Sequence, residues 1–535
     1  MKSEKQIIIV GAGLAGLTSA AYLSKEGYKV LLIEKNNTCG GLLSSFNHEG
    51  FTFDVGARSI ENSGIIKPLL KDLEIDIELL RSKVSIGIES DILSFTETDS
   101  IAKYKSLLIK KFPQNTQEIE KIFKVIYKIT KSMETMYGFD NPIFTKDFTK
   151  DKEYLLHKLL PWFPKFLLSV IQMNKMNKPI DEFLKKYTSN QSLIDMISQH
   201  FFKKTPTFFA LGYFYVYQDY LYPKGGTGKI SEKLKDEIIK NGGKILNNTL
   251  INSIDTKAQS VIANNINYNY DNLIWAADLK QLYSIIKEDN LSKTEVKEIK
   301  NEKAKLFSSR GGDSVFTLYL GVNKDSKYFS KISNEHFFYT PLKNGLNNTH
   351  YAQLEYLITN FEKHSKEDIL KWIDQYTKLN TYEISIPVLR DTNLAPKNQT
   401  GLIINFFFEY NLVKKIYEAG WYETFKTEVE NKMIEVLNNS IYPFLKDNLL
   451  FQFSYTPLSI ERIVKTSEGA ITGWTYEKES PVVNNLLKIS KSIKTPIENI
   501  YQAGQWVYSP SGIPTAILTG WYAASEIKKT LSSKN

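Results

Sequence analysis

Two hydrophobic periods alternate along the chain. Short β-branched runs bounded by glycine or charge predict buried strands at 6–10, 29–33, 271–276 and 499–503. Longer apolar runs do the same at 314–322 (SVFTLYLGV) and 401–410 (GLIINFFFEY), and further strands fall near 244–254, 260–263 and 266–269. Elsewhere the period is helical. Leu14, Leu17, Ala21 and Leu23 predict a helix ending around Gly27; a second covers 230–240, and a third starts near Thr515. Residues 99–200 read mostly as helices with polar connections, and 207–217 (TFFALGYFYVY) are uncharged and unusually aromatic. No internal repeat or low-complexity segment interrupts this alternation. No run approaches the roughly 18 apolar residues that a membrane-spanning helix needs.

The first unit carries chemistry. Gly11-Ala12-Gly13-Leu14-Ala15-Gly16 follows the first strand at once, and the second strand ends in Glu34-Lys35. In this strand–turn–helix–strand setting the glycine spacing is a dinucleotide-binding signature. Gly11 permits the tight turn, Gly13 lets a pyrophosphate approach the backbone, and Gly16 lets helix and strand pack closely. The unpaired N–H groups of the helix start, at Leu14 and Ala15, favour phosphate. Glu34 is placed to accept ribose hydroxyls and would repel a 2′-phosphate, which argues against NADP.

Composition narrows the redox chemistry. The 535 residues are 42% hydrophobic and 24% charged, which excludes a disordered or collagen-like chain. A single cysteine, Cys39, excludes a disulfide framework, a multi-cysteine zinc site and an iron–sulfur cluster held by this chain alone. None of the six histidines has metal-ligand spacing, so no metal site is expected. The net charge of +9 is mild, and no nucleic-acid motif accompanies it. The N-terminus lacks signal-peptide character, and a cytoplasmic, reducing setting is expected. Residues 154–180 hold Lys158, Lys165, Lys175 and Lys178 and no acid, with Trp162, Phe163, Phe166 and Leu167 interleaved. That pattern suits peripheral contact with the cytoplasmic membrane, or an amphipathic helix with solvated lysines.

Past Glu34 the chain reads Cys39-Gly40-Gly41-Leu42, then Gly50-Phe51-Thr52-Phe53-Asp54-Val55-Gly56-Ala57-Arg58. Here it resembles the flavin-dependent amine oxidase and phytoene desaturase superfamily, with its glycine doublet and "GF.FD.G" segment. The C-terminus resembles the family's closing flavin motif: Ala503-Gly504-Gln505, then Gly512-Ile513-Pro514 opening a helix. Tyr222-Pro223-Lys224-Gly225-Gly226-Thr227-Gly228 and the "NGG" at 241–243 resemble the branch holding phytoene desaturases, carotenoid isomerases and retinol saturases. Two departures stand out. Leu42 replaces the arginine that often follows the doublet, with Arg58 a candidate substitute, and Gln505 replaces an acid.

The resemblance implies FAD, held also by backbone near Ile251 against the adenine. It implies an α/β fold: a discontinuous Rossmann-like FAD-binding domain (1–75, 218–300 and 455–535). Interleaved with it is an α+β substrate domain (76–217 and 301–454) that is mainly helical at about 99–200. The activity it implies is desaturation, saturation or cis–trans isomerisation of a long isoprenoid- or carotenoid-like molecule. Amine oxidation is the second enzymatic reading, and a non-catalytic flavin-binding protein is the reading of another class. Catalytic residues are not assigned. Phe208, Tyr213, Tyr215 and Tyr217 are candidate walls of an apolar substrate slot or, alternatively, plain core. Asp54 is expected to brace the cofactor loop. The partner expected is a small apolar substrate, with oligomeric state left open.

Overall fold

A computed structural model describes residues 5–97, 99–144, 152–288 and 291–533. The glycine-loop unit folds as its pattern predicts: strand Gln6–Val10, helix Leu14–Lys25 and strand Lys29–Ile33. These strands lie inside a five-stranded parallel sheet. Its order is Lys244–Leu246, Lys29–Ile33, Gln6–Val10, Asn272–Trp275 and Ile500–Gln502. After a polar first residue (Lys29, Gln6 and Asn272) all three central strands are apolar, as strands covered on both faces must be. The sheet therefore draws on three widely separated stretches of sequence. The helix Leu14–Lys25 packs between Lys229–Lys240 and the C-terminal Ile513–Ser533.

The run near 244–254 is not one strand. Lys244–Leu246 extends the parallel sheet, whereas Ser253–Asp255 joins a small antiparallel sheet with Ser260–Ala263 and Ile266–Asn269. The break has a local cause. Asn248 takes a left-handed conformation (φ 53°), and the N–H groups of Asn248 and Thr249 donate to the carbonyls of Asn36 and Glu34. The chain thereby crosses the end of the neighbouring strand instead of continuing along it.

A mixed seven-stranded sheet forms the second layer. Its order is Leu449–Tyr455, Ser314–Val322, Thr400–Phe408, Tyr382–Ser385, His336–Thr340, Val84–Ile88 and Asp91–Phe95. Ser314–Val322 is buried at every position and pairs antiparallel on both sides. One face of this sheet packs on helices such as Lys366–Leu379 and Tyr422–Asn438. A third apolar core lies in the helical region, between Thr116–Tyr137, Gln191–Ser198 and Thr207–Val216. The aromatic stretch is thus a helix. Residues 145–151, within the helical expectation for 99–200, lie outside the described residues.

Candidate functional site

A cavity of about 410 Å³ runs from the glycine loop to the face of the seven-stranded sheet. Its floor is the C-terminal edge of the parallel sheet, where α/β folds bind ligands. Gly11 has φ +98°, and a Cβ there would lie 2.7 Å from the Ala276 carbonyl oxygen. A Cβ on Gly16 would lie 1.9 Å from the Gly11 carbonyl oxygen. These two glycines let the loop close on itself. Gly13 differs: its φ is −71°, and a Cβ there would meet no atom within 4 Å. The space above Gly13 is the cavity itself.

Glu34 stands where a ribose would be gripped. It is 8% exposed; Oε2 accepts the Ala12 N–H at 2.7 Å and Oε1 accepts the Asn36 N–H at 2.9 Å. The Gly40 N–H donates to the Ala12 carbonyl, which docks the glycine doublet on the first loop. The cavity wall includes Gly11, Gly13, Leu14, Ala15, Glu34, Lys35, Gly40 and Leu42 from the N-terminal unit, with Gly56, Ala57 and Arg58 from the next loop. Ile251 closes one end, and Gly504, Gln505, Gly512 and Ile513 close the other. Three expected residues do not face it. Gly16 is spent in packing, Gly41 turns toward the first loop with its Cβ position 3.6 Å from the Gly13 Cα, and Pro514 is buried in the first turn of its helix. This cradle, long, narrow and lined by glycine backbone, with a fixed carboxylate at one end and a helix start at the other, fits FAD.

Asp54 ties the cradle to the middle of the chain. Its Oδ1 accepts Ser45 Oγ, the Thr227 N–H and Thr227 Oγ1, and its Oδ2 accepts Tyr222 Oη at 2.7 Å. The "FD.G" and "YP.GG.G" segments are therefore two halves of one joint. Arg58 is 4% exposed and donates through Nη1 to the Asp54 carbonyl, while its buried Nε has no protein partner. A buried, incompletely satisfied guanidinium on the cavity wall is suited to a ligand acceptor.

The sheet presents a polar row to the cavity. Thr317, Asn405 and Glu383 are register partners on adjacent strands, and His336 lies on the next strand. Asn405 Nδ2 donates to Glu383 Oε2 at 2.8 Å, and His336 Nε2 lies 2.9 Å from Glu383 Oε1. On its other side His336 Nδ1 is 2.9 Å from Ser59 Oγ, which touches Ser82 Oγ and Arg390. Burial alone would raise the Glu383 pKa. The hydrogen bond and charge of His336, then the charge of Arg58 and the Asn405 hydrogen bond, outweigh it and hold the carboxyl at about 2. Burial also disfavours the imidazolium and lowers the His336 pKa. The row therefore presents a carboxylate held ionised beside a buried imidazole.

The aromatic wall is smaller than the sequence suggests. Of Phe208, Tyr213, Tyr215 and Tyr217, only Tyr213 lines the cavity. Tyr217 packs in the helical core against Phe95 and Phe214, Phe208 is buried away from the cavity, and Tyr215 is half-buried. Helical period explains this: successive aromatics point in different directions, so one helix cannot offer four neighbours to one slot. The sequence reading missed Tyr220, Glu61, His336, Glu383 and Asn405. Glu61 follows the "FD.G" segment closely; the sheet residues carry no local motif.

Comparison with known proteins agrees with this geometry. A family model described as an NAD(P)-binding Rossmann-like domain matches residues 9–73. The chain is 21% identical to a zebrafish (Danio rerio) protein named inactive all-trans-retinol 13,14-reductase, over 97% of this chain and 85% of that protein. It is 24% identical to 1-hydroxycarotenoid 3,4-desaturase of Flavobacterium sp. (strain P99-3), over 98% and 99% of the two chains. Among solved structures, wild-type putrescine oxidase bound to putrescine aligns with TM-score 0.57 at 12% identity, covering 98% of this chain and 99% of that one. The chain is an FAD-dependent oxidoreductase that resembles phytoene desaturases, carotenoid isomerases and retinol saturases.

Proposed function

We propose that the protein desaturates, saturates or isomerises a long apolar, isoprenoid- or carotenoid-like molecule. The observation that carries this reading is one continuous cavity: it joins the dinucleotide cradle to a chamber under the seven-stranded sheet. The named activity of the carotenoid desaturase relative supplies the substrate class, and the zebrafish relative, though named inactive, is named for a polyene alcohol of the same class. FAD bound in the cradle would supply hydride exchange. The protein's part is to hold and shield. Gly11, Gly13 and the start of Leu14–Lys25 would receive the pyrophosphate, and Glu34 the ribose. Gly512 and Ile513 place a helix N-terminus where negative charge on the reduced ring would collect. Val315, Tyr319 and Tyr213 provide apolar walls against water, while Thr317, Asn405, Glu383 and His336 offer a polar stretch of the roof.

The test is direct. Purified protein should carry, or take up, FAD with its visible absorption. Under reducing and oxidising conditions it should then convert one member of a panel of acyclic carotenes and C20 polyene alcohols, and none of a panel of primary amines. Conversion of amines alone would replace this reading with amine oxidation.

We also propose that the protein meets a membrane surface through 155–174. In the helix Leu160–Asn174 and the turn before it, Leu156, Leu160, Phe163, Leu168 and Ile171 are exposed, while Trp162 anchors the helix by donating to the Thr135 carbonyl at 2.7 Å. Exposed apolar side chains beside Lys158 and Lys165 support interfacial binding. Among the described residues no helix is long and apolar enough to cross a membrane. Flotation with vesicles containing anionic lipid checks this: the protein should float, and F163D/L168E should not.

A further inference from the structure

Four carboxyl groups line the cavity: Glu34, Glu61, Asp278 and Glu383. Three are held by donors. Glu34 accepts two backbone N–H groups, Asp278 accepts the N–H groups of Lys280 and Ser467, and Glu383 is bound by Asn405 and faced by His336. Glu61 is different. Among the described residues only its own backbone N–H bonds its carboxyl, no cation pairs with it, and the charge of Asp219 acting on it is of the same sign. Its carboxyl is enclosed by protein, and the surface it keeps faces the cavity.

Its position is equally specific. Glu61 ends the short strand Ile60–Glu61, paired in register with Tyr220, another cavity residue. Glu61 Oε1 lies 3.3 Å from the point a Cβ on Gly512 would occupy. Gly512 immediately precedes the helix Ile513–Ser533, the helix whose start the flavin ring would face. A group that only stabilised the fold would not be left in a cavity with no cation and no donor from another residue, because a poorly compensated carboxylate away from water is costly. Such groups collect where proton exchange is the task.

Resting on the flavin reading above, we infer that Glu61 is the proton-exchanging residue of this site, the partner of hydride exchange at the substrate. In the desaturating direction one C–H bond breaks with its electron pair leaving as hydride to the flavin. The adjacent C–H bond breaks with its proton passing to the Glu61 carboxylate, and the electron pair left behind closes the carbon–carbon double bond. The substrate is oxidised by two electrons, the flavin is reduced by two, and an O–H bond forms on Glu61. In the saturating direction the same proton returns to carbon. The environment suits both. Burial raises the Glu61 pKa to about 7, with Asp219 adding to the shift. Negative charge arriving on the flavin would raise it further, so the acid would be loaded when hydride is available. The other titratable groups facing it are Tyr137, Tyr213 and Tyr220, all raised above the ordinary tyrosine value by burial and, in part, by the charge of Glu61.

The experiment uses the FAD-loaded protein without substrate. The visible spectrum of oxidised flavin is followed from pH 5 to 9, and proton uptake on photoreduction is read with an indicator dye at pH 8. Wild type should show a one-proton spectral titration near pH 7. In E61Q it should vanish and proton uptake should fall by up to one per flavin; E61D should keep the titration with a moved midpoint; D219N should keep it. E61Q that titrates and takes up protons like wild type would overturn the role of Glu61 while leaving the flavin reading intact. Should E61Q fail to fold, an E61D midpoint identical to wild type would overturn it equally. A wild-type protein that never takes up FAD would overturn both.

Discussion

Glycine at three positions of one loop does three separable jobs, and substitution should separate them. Gly13 has an ordinary φ and open space over its Cα, so Gly13→Val should fold normally, with the apo-protein Tm within about 2 °C of wild type. Its side chain would fill the cofactor's place, and FAD affinity should fall at least ~100-fold, about 2.7 kcal/mol. Gly16→Ala should instead cost about 2 kcal/mol or more of stability, because its Cβ meets the Gly11 carbonyl at 1.9 Å. Calorimetry of the apo-proteins beside flavin titration distinguishes the two, and loss of both properties in Gly13→Val would show that its space is structural. These residues were legible in the sequence because a phosphate loop is local: its turn, its helix and its acid lie within one short stretch. Glu383, His336 and Asn405 were not. They belong to separate strands and become neighbours only through the register of a mixed sheet, which no linear spacing announces. Glu61 was adjacent to a readable motif, but its lack of a partner is a property of the folded surroundings.

At the scale of elements, buried charge marks where segments are pinned together. Glu409, with its side chain 7% exposed, receives Lys203 at 2.6 Å and Arg310 at 2.7 Å; Arg310 in turn reaches Glu468. The cluster joins the helical region, the end of the strand Thr400–Phe408 and the C-terminal segment. Burial works against the Glu409 charge, but Lys203 and Arg310 outweigh it and hold the carboxyl at about 2. Glu409→Ala would take the ion-pair partner from Lys203 and leave Arg310 with Glu468 alone, and urea unfolding should show a loss of about 3 kcal/mol. A loss below about 1 kcal/mol would mean that water already reaches the cluster. Element identity was well predicted where one period ran uninterrupted, as in Gln6–Val10 or Lys229–Lys240. It failed at 244–254 because the divider there is a pair of backbone hydrogen bonds to Asn36 and Glu34, residues distant in sequence.

Across the whole molecule, acids raised by burial, among them Glu61, Asp313 and Asp195, set a pH dependence of stability. Burial raises the Glu61 pKa to about 7 and the Asp313 pKa to about 6, in the latter case against the pull of Lys203. A carboxyl raised above its unfolded value contributes stability that is complete below about pH 4 and is lost as pH rises through the folded value. The apo-protein should therefore lose stability between about pH 4.5 and 7. Glu61→Gln should flatten that slope by up to about 3 kcal/mol, measured as urea midpoints at pH 5 and pH 8. An unchanged slope would count against the buried position of this acid.

The interleaved parallel sheet also has a consequence for synthesis. Gln6–Val10 leaves the ribosome early, yet its sheet gains Asn272–Trp275 only midway and Ile500–Gln502 almost at the end. At about 5–20 residues per second, the nascent cradle waits roughly 25–100 s for its last strand. Throughout that interval an apolar parallel edge stands uncovered, and the turn at Gly504 and the helix behind it do not yet exist. Cofactor capture thus waits until Ile513–Ser533 has been made, and its yield in the cell should depend on chaperones that shelter the unfinished sheet more than on the supply of FAD.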